Sequence, residues 1–210
     1  MRFPLIAIGI VLCGCASGGP VRISQPVGVT PPSSSVQALY EAGRDNEVLS
    51  RTASPSIPSE EVWFGAQSLL RVGQRAEATE QFRRLRDTAE SEAFRRVADV
   101  ALARLGNQSD ALQIAQAASS EFPGDAFVQF EVGVTLAIQG DMAAAAIAFD
   151  AATSASPTFA YAYYQAGLAY SRVNRQDLMV ARFETFVRLA PSAPERAQVE
   201  SVLRTTRGGR

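Results

Sequence analysis

The sequence has no histidine and no lysine, so all 20 of its basic residues are arginine. Without imidazole there is no side chain that titrates near neutrality as a general base, and no His-based metal site. Without lysine there is no Schiff-base amine and no phosphate-gripping lysine of the P-loop type. Cysteine is scarce: Cys13 and Cys15 are the two present, and they lie too close together for a disulfide. An excess of charge of either sign is also missing. The 20 basic residues meet 21 acidic ones, for a net charge of −1, so the clustered basic surplus that a nucleic-acid partner requires is absent. Carboxylates such as Asp99, Asp110, Asp141 and Asp150 fall at turns or on helix surfaces, where capping or solvation explains them. These absences point away from an enzyme and from any metal or cofactor. A glycan hydrolase running on two carboxylates is the one catalytic alternative the composition leaves open.

Long hydrophobic runs are also few. Residues 1–15 read MRFPLIAIGIVLCGC. Arg2 supplies a short positive start, and Phe3 to Leu12 is an apolar stretch too short to cross a bilayer as a helix. The segment Leu12-Cys13-Gly14-Cys15 follows. It resembles a bacterial lipoprotein signal, with an aliphatic residue three before the cysteine, a small one just before it, and a thiol that accepts diacylglycerol. Cys13 has bulky Leu12 immediately before it, which makes Cys15 the lipidation site. An ordinary secretory signal is the alternative. The resemblance implies a signal peptide over 1–14, a membrane anchor through Cys15, and, because residue 16 is Ala rather than Asp, sorting to the outer membrane on its periplasmic face. Two or three acyl chains would hold it stably, at about 0.8 kcal/mol per buried methylene. Residues 15–34 contain four Pro and three Gly and no sustained apolar period. They read as a lipidated flexible tether, spanning roughly 25 Å as a coil.

What the chain has in abundance is a beat. Pro123, Pro157 and Pro191 stand 34 residues apart, as do Gly133 and Gly167, Ala111 and Ala145, Phe149 and Phe183, and Gly106, Gly140 and Asn174. Several residue types sharing one period and one phase mark a stack of like units. The pattern resembles the tetratricopeptide repeat, a helix pair with small residues at positions 8, 20 and 27, a large apolar one at 24 and proline at 32. Residues 126–159 fit best, with Gly133, Ala145, Phe149, Ala152 and Pro157 in those places. Residues 160–193 depart at Met179 and Phe186. Residues 92–125 carry Asp99 where the small residue belongs. Residues 59–91 follow one residue out of phase. The resemblance implies an all-α fold: a right-handed α-solenoid of antiparallel helix pairs, about four units over 59–193. A degenerate helical hairpin over 35–58 precedes it, and a capping helix and tail over 194–210 follow, started by a capping box of Ser192 and Glu195 around Pro194. The Arg-dense stretch 71–96 also carries five carboxylates and reads as a solvated, salt-bridged face.

In this repeat family the first helix of each pair lines a concave surface. Carried over, that surface comprises Trp63, Gln67 and Arg71; Arg96, Val100 and Arg104; Phe127, Phe130, Val134 and Ile138; and Tyr161, Tyr164, Leu168 and Arg172. Aromatics and arginine are the usual anchors of a binding hot spot. The expected occupant is an extended or helical protein segment with apolar side chains and some acidic groups. Trp63, Phe130 and Tyr164 also suit the core between repeats, and both readings stand at this point. Gln67, Val100, Val134 and Leu168 occupy the position where family members that clamp a terminal carboxylate have Asn, so that clamp is not expected. The resemblance implies an adaptor for another envelope protein, assisting assembly of a pilus, secretin or outer-membrane complex. A structural scaffold of a peptidoglycan-processing machine is the alternative.

Overall fold

In a computed structural model, residues 35–208 are described. The leader 1–14, Cys15 and the rest of the tether lie outside them, so the lipidation reading rests on sequence alone. Among the described residues there are eleven helices and no strand. A short pair, α1 (Val36–Glu41) and α2 (Asp45–Thr52), comes first. Four longer pairs follow: α3 (Ser59–Arg71) with α4 (Arg75–Thr88), α5 (Glu92–Leu105) with α6 (Ala111–Glu121), α7 (Ala126–Ile138) with α8 (Met142–Ala155), and α9 (Ala160–Arg172) with α10 (Gln176–Leu189). Helix α11 (Arg196–Gly208) packs against α10 and closes the stack. The fold is an all-α solenoid of antiparallel helix pairs. None of these helices is long and apolar enough to cross a membrane.

Each pair turns on one left-handed residue. Gly43, Gly73, Asn107, Gly140 and Asn174 have φ of 70°, 83°, 52°, 89° and 59°. At the α7–α8 turn, Gly140 N–H donates to Ala137 C=O and Asp141 N–H to Leu136 C=O, both at 3.1 Å. This is the Schellman pattern, which satisfies the last carbonyls of a helix and favours Gly or Asn at the left-handed position. One turn departs from the others. The left-handed residue of the α5–α6 turn is Asn107 and not Gly106, which keeps right-handed geometry at φ −76°. Helix α5 is one residue longer than α7 and α9, so the turn moves on by one. The spaced prolines do their part after the second helix of each pair. Pro123, Pro157 and Pro191 each stand two residues beyond the end of α6, α8 and α10, where a helix cannot continue.

The recurring glycines make room for rings. A Cβ on Gly133 would come within 2.6 Å of the Phe149 ring, and one on Gly167 within 2.5 Å of the Phe183 ring. Hole and ring therefore repeat together, 34 residues apart. In the unit whose position 8 is Asp99, buried Ala115 stands where the ring would be, so no hole is needed. The alanine run of α8 packs between α7 and α9. Ala145, Ala146, Ala148 and Ala152 are buried, while Ile147 on the outer side is 70 % exposed. Small side chains on two sides let one helix serve both neighbours.

Two further expectations change. Glu195 does not form the expected capping box: its carboxylate accepts a hydrogen bond from the Tyr161 hydroxyl at 2.7 Å. The Arg-rich stretch is mostly the salt-bridged face expected, with Arg83–Glu80 and Arg95–Glu92 both at 3.1 Å. Arg71, however, turns inward to Asp45 at 2.7 Å, and Arg75 and Arg84 bind the main-chain carbonyls of Leu105 and Ser54.

Candidate protein-binding site

The first helices of the pairs bring the expected groove residues to one side, but that side is closed rather than open. Trp63 is fully buried and Phe130 and Tyr161 nearly so. The Trp63 ring lies 5.0 Å from Phe127, 5.5 Å from Phe130 and 5.7 Å from Phe159, mostly edge-to-face. Phe130 and Phe159 are 4.9 Å apart. Aromatics from α3, α7 and the start of α9 thus meet one another across the concave side. Full burial contributes about 1.5–3 kcal/mol per large apolar side chain, and edge-to-face pairing adds to it. Of the two readings open from the sequence, the structure places Trp63, Phe130 and Tyr161 in the core and not on a free surface. Tyr164 is partly buried against Phe186 at 5.0 Å, between α9 and α10. Val100 is buried, and Phe127, Val134 and Leu168 pack partly buried against the core. Ile138 is 58 % exposed, and Arg172 is exposed.

The polar groove residues are spoken for as well. Glu131, a residue sequence reasoning did not single out, is fully buried on α7. Its carboxylate accepts from Arg104 at 2.7 Å, from Trp63 Nε1 at 3.0 Å and from Gln67 at 2.5 Å. The Arg104 side chain is itself only 9 % exposed. A buried ion pair with further hydrogen bonds is costly to break from one side. The available signal was that Glu131 is the sole charge in the helix AFVQFEVGVTLAI. Arg96 lies at the surface, bonded to Glu121 at 2.9 Å.

The groove's own occupant is α1. The Tyr40 ring packs against Phe64 at 5.3 Å and Tyr161 at 5.1 Å. The guanidinium of Arg71 sits over its face, 4.0 Å from the centroid. Arg71 also donates to the Tyr40 carbonyl at 2.8 Å, to Asp45 at 2.7 Å and to the Tyr161 hydroxyl at 2.9 Å. Helix α9 has no side-chain cap of its own; its first N–H, on Ala160, donates instead to Glu41 at 3.3 Å. Burial pushes the Tyr40 hydroxyl far above its ordinary range, and burial likewise raises the Glu41 carboxyl against the pull of its hydrogen bonds. On the far side, Gly43 lies close enough to Pro194 that an added Cβ would come within 3.0 Å of its ring. The N-terminal hairpin therefore bridges α3, α9 and the segment before α11.

Among the described residues, no group of three or more His, Cys, Asp or Glu is placed to hold a metal. This side of the molecule holds α1 through aromatic packing, a cation over a ring and a carboxylate hydrogen bond. The class the geometry defines is an all-α stack of antiparallel helix pairs. No protein-family model matches the chain, and no curated protein matches it. Solved structures of MamA are similar at a low level. One, of MamA itself, has 19 % identity and a TM-score of 0.44, covering 70 % of this chain and 85 % of that one. Another, of MamA from AMB-1, has 16 % identity and a TM-score of 0.42, covering 73 % and 94 %. A likeness this faint carries no functional argument.

Proposed function

We propose that this chain is an adaptor anchored to the outer membrane on its periplasmic face through a lipid on Cys15, which holds a segment of another envelope protein. The observation that carries the binding half is that the concave side already takes up a helix, α1, through Tyr40 and the Arg71 guanidinium. The anchoring half is supported by Leu12-Cys13-Gly14-Cys15 and the Pro/Gly-rich tether that follows. Anchoring concentrates the stack near membrane-bound clients, so that a modest affinity suffices for capture. The resemblance to tetratricopeptide lipoproteins supports clients in the assembly of a pilus, a secretin or another outer-membrane complex. Two measurements test the reading. Cys15→Ser should move the protein from the membrane to the soluble fraction, and retention on membranes refutes the anchor. A photoreactive residue in place of Ile138, exposed at the end of α7, should crosslink to a ring-forming envelope protein. Recovery of a wall hydrolase or synthase instead would favour the scaffold of a peptidoglycan machine.

A further inference from the structure

We propose that the face formed by Trp63, Phe64, Arg71, Tyr161 and the N-terminus of α9 is a binding groove for a partner's amphipathic helix that presents an aromatic residue followed by a carboxylate, and that the α1–α2 hairpin occupies it in cis. The proposal rests on the adaptor reading above and names its site and the chemistry of its ligand.

The hairpin shares the core through Val36, Leu39, Tyr40 and Val48, and Thr52 fits against Gly65 of α3, but three features mark it as the occupant of this face. First, the rings beneath it are also held by one another. Trp63 is fixed by Glu131, and Phe127, Phe130 and Phe159 pack around it. Second, the hairpin is joined to α3 by residues 53–58, which are exposed except for Ile57 and Ser59 beyond it, and which include Pro55 and Pro58. Pro58 precedes α3 directly at φ −55°. Such a connector ends both helices cleanly; Arg84 of α4 holds its Ser54 carbonyl and Ile57 rests on the core. Third, the contacts match in charge. The groove offers a guanidinium and the bare, electropositive end of a thirteen-residue helix. The hairpin brings Asp45 to the first and Glu41 to the second. Helix α1 has only six residues, too few to hold helical form by itself, so its shape is given by the groove, as a bound peptide's would be. A partner helix with the same order of groups, apolar then Tyr then Glu as in Leu39-Tyr40-Glu41, would offer the ring for Arg71 and the carboxylate for the start of α9.

Competition in cis lowers the apparent affinity of any partner in proportion to the small fraction of open groove. The probe is a labelled peptide of residues 35–52, added to the full chain. Tyr40→Ala in the chain weakens the cis occupant without touching the groove wall. The peptide is expected to bind that variant at least ~10-fold more tightly than it binds the wild-type chain, and a peptide carrying the same Tyr40→Ala change is expected not to bind. Failure of the peptide to bind the Tyr40→Ala chain overturns the proposal. A second measurement does not depend on any variant. Native-state hydrogen exchange should show the α1–α2 amides opening at least ~100-fold more often than those of α7 and α8, and equal protection means the hairpin is permanent core, which also overturns it. If wild-type chains form dimers that Tyr40→Ala abolishes, the groove belongs to a second copy and the assignment to a partner's helix fails. A crosslinked client that stays bound while the peptide saturates the Tyr40→Ala chain would refute this groove and leave the adaptor role intact.

Discussion

Replacing Gly133 by Ala tests the packing rule on which the whole stack depends. In an exposed helix the change is favourable by about 1 kcal/mol, because Gly is the poorer helix former. Here the new methyl would lie 2.6, 2.7 and 3.0 Å from three carbons of the Phe149 ring, where carbon contacts settle near 3.5–4.0 Å. The ring must retreat by roughly 1 Å, yet it is 1 % exposed and backed by Phe130 at 5.6 Å. Overpacking of this kind costs about 1–3 kcal/mol. After the helix-propensity gain, the net loss is about 0–2 kcal/mol, or a fall in Tm of up to about 8 °C for a domain of this size. The sign should reverse once the ring is gone. In a Phe149→Val background the added methyl meets open space, and Gly133→Ala becomes stabilising by about 1 kcal/mol. Urea unfolding of the wild type, both single variants and the double variant gives a coupling energy, expected at about 1–3 kcal/mol. Gly167→Ala, whose methyl would meet Phe183 at 2.5 Å, should behave alike. Gly124→Ala, with nothing within 4 Å, should change stability by less than about 0.5 kcal/mol. Additivity of the Gly133 and Phe149 changes, or a Tm raised by Gly133→Ala alone, refutes the reasoning.

Other outcomes follow from single contacts. Glu131→Ala strands the nearly buried Arg104 and the Trp63 N–H, and should cost about 3–5 kcal/mol in urea unfolding, whereas replacing the pair together by Leu and Met should leave only a loss of about 1–3 kcal/mol from the stranded Trp63 N–H; a small loss for Glu131→Ala would show that the pair is not desolvated. Gly140→Ala puts a side chain at φ 89° and should cost about 1–2 kcal/mol, while Asn174→Gly, at the same turn position one unit later, should cost little; equal losses would refute the left-handed requirement. The Glu41 carboxyl is held above 4.5 by burial, so the folded state favours its protonated form. The stability of the wild type relative to Glu41→Gln should therefore be greatest below 4.5 and should fall as pH rises through the raised value, and parallel curves from about pH 4 to 7 would refute the shift.

The beat of the fold was legible in the sequence because each of its marks answers a local demand. A ring needs a hole, a Schellman turn needs Gly or Asn, and a helix end tolerates proline. Each demand involves residues within one 34-residue unit, so spacing exposes it. That the left-handed residue after α5 is Asn107, one place past Gly106, follows from a single extra helical residue that composition does not betray. The closure of the groove was not legible. It depends on contacts such as Arg71 to Tyr161, 90 residues apart, and Gln37 to Thr158, 121 apart. Position rules carried from the repeat pattern say which helix face is concave, but not how far the stack curls. The apolar character of Trp63, Phe130 and Tyr161 is what draws the facing walls together and buries them.

An aromatic concave face cannot stay bare in water, since each large ring left exposed forgoes about 1.5–3 kcal/mol. The chain meets this in two ways that differ in kind. Around Trp63, rings from α3, α7 and α9 bury one another, and the Arg104–Glu131 pair locks them with groups that have no partners elsewhere. Around Arg71 the cover is the α1–α2 hairpin, held by the Tyr40 ring and carbonyl and the carboxylates of Glu41 and Asp45. Those groups are common to any helix of similar sequence, so this contact can be exchanged for an equivalent one at little net change in free energy. Exchange at the first cluster would leave a charge buried without its partner. Under the proposed adaptor role, specificity for a client would therefore belong to the Arg71 end of the groove, and rigidity to the Glu131 end.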